Sequence, residues 1–289
     1  MLSLYYWNYG ERNFGDLLNE NLFAELFATK ITPPPELSLT NILKFEATCI
    51  GSTLGVFIMP NNLENNMELR QAIDASPAMK VWGSGFLTDP MQIENTFLRK
   101  LDVYALRGKR SKERLENITR VHLRDIALAD PGILAAKLIK KQEKRYCFGI
   151  IPHHTETYLP IFQEISKLQN CIVIDVHNDV LEILKQIAQC EMIVSSALHG
   201  LIVADSFGIP NIRLVATDTM RIAQNFKFLD YYSAYDIEEH SALNIHTLFT
   251  YLSNPKSLKD IISNTYHIKP EMIKNKQRQL LDCCPFKLF

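Results

Sequence analysis

The 289-residue sequence lacks the marks of several large protein classes. No run of about 18 apolar residues passes without a charged or strongly polar interruption, which argues against a membrane-spanning helix. The N-terminus, MLSLYYWNYGERNFGD, has no basic start followed by an apolar segment, so a cytoplasmic protein is expected. An excess of one charge is missing too: 31 Lys+Arg against 32 Asp+Glu leave a net charge of −1. That excludes the global basic field of nucleic-acid binders, and any anionic ligand must be held by local cations. Cysteine is sparse. Cys49, Cys147, Cys171, Cys190, Cys283 and Cys284 fall mostly inside or beside apolar runs, with neither C-x-x-C spacing nor the density of a secreted scaffold, and read as reduced core residues. HExxH and G-x-S-x-G are both absent, so neither a metal ion nor an elbow serine nucleophile is expected.

What is present is an alternation of short apolar runs with amphipathic stretches. Leu4-Tyr5-Tyr6-Trp7 predicts a first strand, and the loop from Asn8 to Gly15 delivers Asp16 as N-cap to the helix LLNENLFAELFA. Its Leu18, Leu22 and Leu26 recur every four residues, as a core-facing stripe does. The unit returns at Ala47 to Ile50 before Gly51-Ser52, at Met79 to Trp82 before Gly83-Ser84-Gly85, and at Val103 to Leu106 before Arg107-Gly108. It returns again at Ile126 to Ala129 before Asp130, with Pro131 opening a helix PGILAAKLI. These runs predict one parallel sheet, with Ile31 to Leu39 and its three prolines as a surface connection.

Residues 140–145, KKQEKR, read either as a domain linker or as a solvated helix end. Taken as a linker, they divide the chain into residues 1–143 and 144–289. A second series follows: a strand Tyr146 to Ile151 before Pro152-His153-His154, a helix around Leu159 to Leu168, a strand Cys171 to Val176 and a helix Val180 to Gln189. Then come a strand Met192 to Val194, a helix from His199 to about Phe207, and a strand Asn211 to Val215. An irregular region with Arg221, Lys227, Asp230 and Tyr231 leads to helices near 245–253, 256–264 and 270–282.

Two such series predict an α/β fold of two Rossmann-like, doubly wound domains facing one another across a cleft, with ligands outside the carboxyl ends of the strands. Asn13 to Asp16, Gly83 to Gly85, Arg107, Asp130, His153-His154 and His199 all fall at predicted carboxyl ends. Where Ser195-Ser196 leave a buried strand and His199-Gly200 open a helix, unpaired N–H groups and the positive end of the helix dipole suit a phosphate or carboxylate. His199 there reads either as a partner of the helix's first turn or as a functional imidazole. Gly83-Ser84-Gly85 is either a phosphate cradle or a tight turn. Arg107 is either a structural ion-pair residue or a planar anion clamp. Asp130 reads as an N-cap. Extended geometry sends only one of His153 and His154 into the cleft.

In combination these stretches resemble the polysaccharide pyruvyl transferase family, in particular its bacterial exopolysaccharide-type members. The resemblance rests on Asn13-Phe14-Gly15-Asp16, Val81 to Gly85, Ala105 to Gly108, Ala129-Asp130-Pro131, Gly149 to His153, Ser195 to Pro210 and Lys227 to Tyr231, in that order. It implies a fold similar to the GT-B glycosyltransferases and transfer of a pyruvyl group from phosphoenolpyruvate to a sugar as a cyclic ketal, with no cofactor. The acceptor implied is a surface glycan or its lipid-linked precursor. Carried over by position, His199 is general acid or phosphate contact, Arg107 a carboxylate or phosphate clamp, and His153 a phosphate contact or acid. Asn13, Asp16, Gly83, Ser84, Gly85, Ser195, Ser196, Gly200, Lys227 and Tyr231 are then substrate-binding.

One departure stands out: many relatives carry arginine immediately before Leu-His-Gly, where this chain has Ala197. Either Arg213, Arg221 or Lys227 supplies the missing charge, or donor affinity is reduced. A nucleotide-sugar glycosyltransferase of similar fold, or a glycan-binding relative without catalysis, are the alternatives. The basic and apolar tail from Lys274 to Phe289 is either a helix packed back on the body or a peripheral contact with the inner face of the membrane.

Overall fold

The computed structural model describes residues 1–10, 12–90, 96–218, 224–238 and 240–289. Its first sheet contains β1 (Leu2–Tyr5), β2 (Ile31–Thr32), β3 (Ala47–Thr48), β4 (Met79–Trp82), β5 (Leu101–Leu106) and β6 (Ala127–Leu128), in the order β2-β1-β3-β4-β5-β6. The second contains β7 (Tyr146–Ile151), β8 (Cys171–Val173), β9 (Cys190–Ser195), β10 (Asn211–Val215) and β11 (Ala242–Asn244), in the order β11-β10-β9-β7-β8. Every neighbouring pair in both sheets is parallel, the arrangement expected of two Rossmann-like units. Residues 140–145 carry neither helix nor strand and run between the sheets.

The helices are α1 (Phe14–Leu26), α2 (Leu39–Ile42), α3 (Met67–Ala75), α4 (Lys109–Thr119), α5 (Pro160–Ile165) and α6 (Val180–Ala188), followed by α7 (Leu198–Ser206), α8 (Asn225–Ser233), α9 (Ile245–Leu252), α10 (Pro255–Thr265) and α11 (Pro270–Asp282). Alternating strand residues feed different cores, because parallel sheets are covered on both faces. Leu4, Trp82 and Ala105 join one cluster, while Tyr5, Val81 and Leu106 join another. In the second sheet Ile151 and Ile193 join the first of these clusters, whereas Ile150 and Val194 face a third on the outer side. The shared cluster lies between the sheets and takes in Leu18 and Leu22 of α1, Ile183 of α6 and Leu201 and Ile202 of α7. One continuous core therefore holds the two halves together.

Several local expectations change. Ile31–Thr32 is an edge strand of the first sheet, and the surface connection begins only at Pro33, which has no N–H to donate to a ladder. Asp16 is not the cap of α1. Asn13 is, in extended conformation with its side-chain oxygen 3.1 Å from the Gly15 N–H, so the helix starts at Phe14 and Asp16 stands in its first turn. Pro131–Lys137 winds as a 3₁₀ turn rather than an α-helix, capped by Asp130 Oδ1 at 2.9 Å from the Gly132 N–H. The stretch around Lys227, expected to be irregular, is α8; its aromatic run and absent side-chain cap hid a helix held by packing. Arg221 lies outside the described residues.

The tail returns to the first sheet. Trp82 Nε1 donates to the Leu280 carbonyl at 3.1 Å, and Phe286 packs among Phe23, Phe27 and Trp82. Among the described residues no helix is long and apolar enough to cross a membrane.

Candidate active site

A cavity of about 320 Å³ opens between the carboxyl ends of the two sheets. Tyr5, Trp7, Asn13, Asp16, Ser52 and Thr53 line it from the first half, and His153, His154, Thr155, Ala197, His199, Gln224 and Lys227 from the second. Each wall follows from a strand end. Beyond β1 the chain turns through Trp7 into α1, beyond β3 through Gly51-Ser52-Thr53, beyond β7 through Pro152-His153, and beyond β9 into α7.

Ser195 fixes the last of these turns. Its Oγ donates within reach of the Ile151 and Ala197 carbonyls, at 3.0 and 2.9 Å, and accepts the Ala197 N–H at 3.0 Å. Ser196 Oγ accepts the His153 N–H at 2.8 Å, tying the two strand ends together. A Cβ on Gly200 would lie 2.3 Å from Ser195 Oγ, so only glycine lets α7 seat this closely on β9. Ala197 caps α7 without a side-chain hydrogen bond, leaving first-turn N–H groups and the positive helix end toward the cavity.

The charges follow from burial. Lys227, on α8, is buried, and loss of hydration followed by the nearby Arg107 charge lowers its pKa to about 7. It donates to Gln224 Oε1. Asp16 stands opposite: burial raises its carboxyl to about 7, against the pull of Lys227. Asn13 Nδ2 donates to its Oδ2 at 2.8 Å. Burial, then Lys227, lower His153 to about 2 and His199 to about 3, so both imidazoles are neutral. His153 Nδ1 is 2.8 Å from Thr155 Oγ1. Behind His199, its Nε2 stands 3.8 Å from Asp130 Oδ2.

The structure thus brings Asn13, Asp16, His153, His199 and Lys227 to one cavity and sets the other sequence candidates behind its walls. Arg107 is fully buried; its Nε donates to Asp230 Oδ2 at 2.9 Å, its Nη1 to Ser52 Oγ at 2.7 Å and its Nη2 to the Phe86 carbonyl. Gly85 lies against that guanidinium, and Gly83, at φ +87°, receives the Pro131 ring. Ser84 Oγ binds Thr53 Oγ1 at 2.6 Å and the Gly51 carbonyl at 2.9 Å. Tyr231 donates to Asp205 Oδ2 at 2.6 Å in the core. Of the cations expected to offset Ala197, Arg213 stacks on Phe228 and bonds Asn225, whereas Lys227 reaches the cavity.

Both His153 and His154 line the cavity, their rings 4.2 Å apart, because a 3₁₀ turn begins at His154 and ends the alternation of an extended strand. Tyr5, Trp7, Thr155 and Gln224 were not singled out from sequence. Only Ser52 and Thr53 carried a signal, as polar residues after a glycine at a strand end.

Two all-parallel sheets with a cavity at their carboxyl ends, lined by Lys227, Asp16 and two histidines, define an α/β protein whose candidate site lies between the sheets. Residues 81–219 match the profile of the family "Polysaccharide pyruvyl transferase", so just under half of the chain is similar to that family. It is 35% identical over 162 residues to an uncharacterized protein of Acanthamoeba polyphaga mimivirus, covering 54% of this chain and 55% of that one. It is 24% identical over 236 residues to the succinoglycan biosynthesis protein ExoV of Rhizobium meliloti (strain 1021), covering 78% of this chain and 63% of that one. The chain thus spans less than two thirds of the length of these curated relatives.

Proposed function

We propose that the protein transfers a pyruvyl group from phosphoenolpyruvate to a sugar of a surface polysaccharide or its lipid-linked precursor, forming a cyclic ketal. The observation that carries this reading is the convergence of Lys227, His153, His199 and the uncapped start of α7 on one cavity. The donor's phosphate and carboxylate require such a set: a fixed ammonium, N–H donors, and imidazoles that become cationic only when the anion arrives.

In this reading Lys227 takes the part of the arginine that many relatives carry before Leu-His-Gly. His199 protonates the methylene carbon or contacts phosphate, His153 contacts phosphate, and Asn13 and Asp16 face the acceptor. Arg107 acts at one remove, holding Ser52 and raising the local positive potential rather than clamping the donor itself. Division of the chain near residues 143 and 144 assigns the donor side to the second half.

Thermal denaturation with candidate donors tests the reading. Millimolar phosphoenolpyruvate is expected to raise Tm, by about 2–4 °C for ΔΔG near 1 kcal/mol in a chain of this size, with UDP- and GDP-sugars inert. Stabilisation by a nucleotide-sugar and none by phosphoenolpyruvate contradicts it.

A further inference from the structure

His199 is held differently at its two ring nitrogens. Nε2 is enclosed by protein and has no hydrogen-bond partner, and the same holds for Asp130 Oδ2, 3.8 Å away. The other oxygen of Asp130 is committed to the Gly132 N–H at 2.9 Å, which fixes the carboxyl group in place. Two buried, unsatisfied polar atoms facing each other are each costly alone and compatible as a pair, and 3.8 Å is about 1 Å beyond an N–H···O contact. Nδ1, by contrast, is not an enclosed, unpartnered atom, and the ring lines the cavity. A Cβ on residue 15 would lie 2.0 Å from it, so only glycine there leaves room for the ring in this position.

We propose that Asp130 is the positioning residue of the site: Oδ2 accepts the Nε2–H of His199, fixes that tautomer, and leaves Nδ1 as the nitrogen that meets substrate, with Gly15 giving the ring room. The carboxylate then serves as counter-ion to the imidazolium. Burial, Lys227 and Arg107 all disfavour the charged ring, and this opposition is what the counter-ion has to offset.

Resting on the transfer reading above, the steps balance. The Nδ1–H bond breaks as the methylene carbon of phosphoenolpyruvate takes the proton, the C=C π pair forming the new C–H bond. The first sugar hydroxyl bonds to the central carbon and returns its proton to Nδ1. The bond from that carbon to the phosphate oxygen breaks, the second hydroxyl closes the ring, and its proton leaves with phosphate. Nε2–H stays on Asp130 throughout.

The pairing is tested by nitrogen NMR of histidine-labelled full-length protein, with the His199 signals assigned by their loss in His199→Gln. In the wild type, Nε2 is expected to carry the proton and Nδ1 the lone pair. Asp130→Asn keeps the cap on Gly132 through its carbonyl oxygen but turns an N–H toward Nε2, so the tautomer is expected to invert. Phosphoenolpyruvate should protonate both nitrogens in the wild type but not in Asp130→Asn, whose affinity falls about tenfold. A wild-type Nε2 without a proton, or the same tautomer in both proteins, overturns the pairing. Should Asp130→Asn fail to fold, the wild-type spectrum alone decides. If the tautomers behave as stated and phosphoenolpyruvate leaves the spectra unchanged, the donor assignment fails and the pairing stands.

Discussion

Lys227 is an ammonium held out of water, with its pKa lowered to about 7. Below that pH the fold keeps a buried charge that the unfolded chain hydrates freely, so Lys227→Met is expected to raise Tm, by on the order of 1 kcal/mol of stability. The gain should be largest below pH 7 and shrink as pH rises toward 10.5, where the unfolded lysine also loses its proton. The same variant should lose phosphoenolpyruvate binding by more than about tenfold, which a titration of the stable protein reads directly. The pH dependence of wild-type binding has a definite sign. As pH rises through about 7, Lys227 gives up its proton and Asp16 gains negative charge, both against an anion. Affinity is therefore expected to fall between about pH 6 and about pH 8.5, the anion itself moving the Lys227 transition upward. A binding constant flat across that range excludes Lys227 as the donor's cation.

At the scale of the element, the junction of β9 and α7 depends on close approach. Gly200→Ala would gain about 1 kcal/mol of helix propensity, yet its methyl carbon would stand 2.3 Å from Ser195 Oγ. A net loss of about 1–3 kcal/mol in denaturant unfolding is expected. An unchanged or higher midpoint would mean that α7 is not seated on Ser195. This junction was the most legible part of the sequence, because a short apolar strand, two serines and His-Gly before an apolar run leave few other structures. The helix α8 was not legible. Asn225 to Ser233 has neither a capping side chain nor a clear polar face, because Phe226 is buried in one core cluster and Phe228 and Tyr231, on the opposite side, in another. The inward turn of Arg107 was hidden for the same reason, since its partner Asp230 is 123 residues away on that helix.

Across the whole molecule, alternating strand and helix signals foretold two parallel sheets, but pairings distant in sequence set how the halves meet. Arg107 and Asp230, both without solvent exposure, join β5 to α8, and Ser111 adds two hydrogen bonds to the same carboxylate at 2.8 and 2.6 Å. Arg107→Met leaves Asp230 buried with less compensation, and a loss of about 3–5 kcal/mol is expected in unfolding experiments. A loss below 1 kcal/mol would indicate that the pair contributes little to holding the halves together. The cavity exists because that union aligns strand ends from both sheets, with Asp16 from one and Lys227, His153 and His199 from the other. The central claim is that an anionic pyruvyl donor reacts there. It is tested most directly by incubating the protein with phosphoenolpyruvate and a panel of lipid-linked and free glycans, then measuring released phosphate and glycan mass. Phosphate release matched by a glycan gaining one pyruvyl ketal, and abolished in His199→Gln, is the predicted result; consumption of a nucleotide-sugar with phosphoenolpyruvate untouched contradicts it.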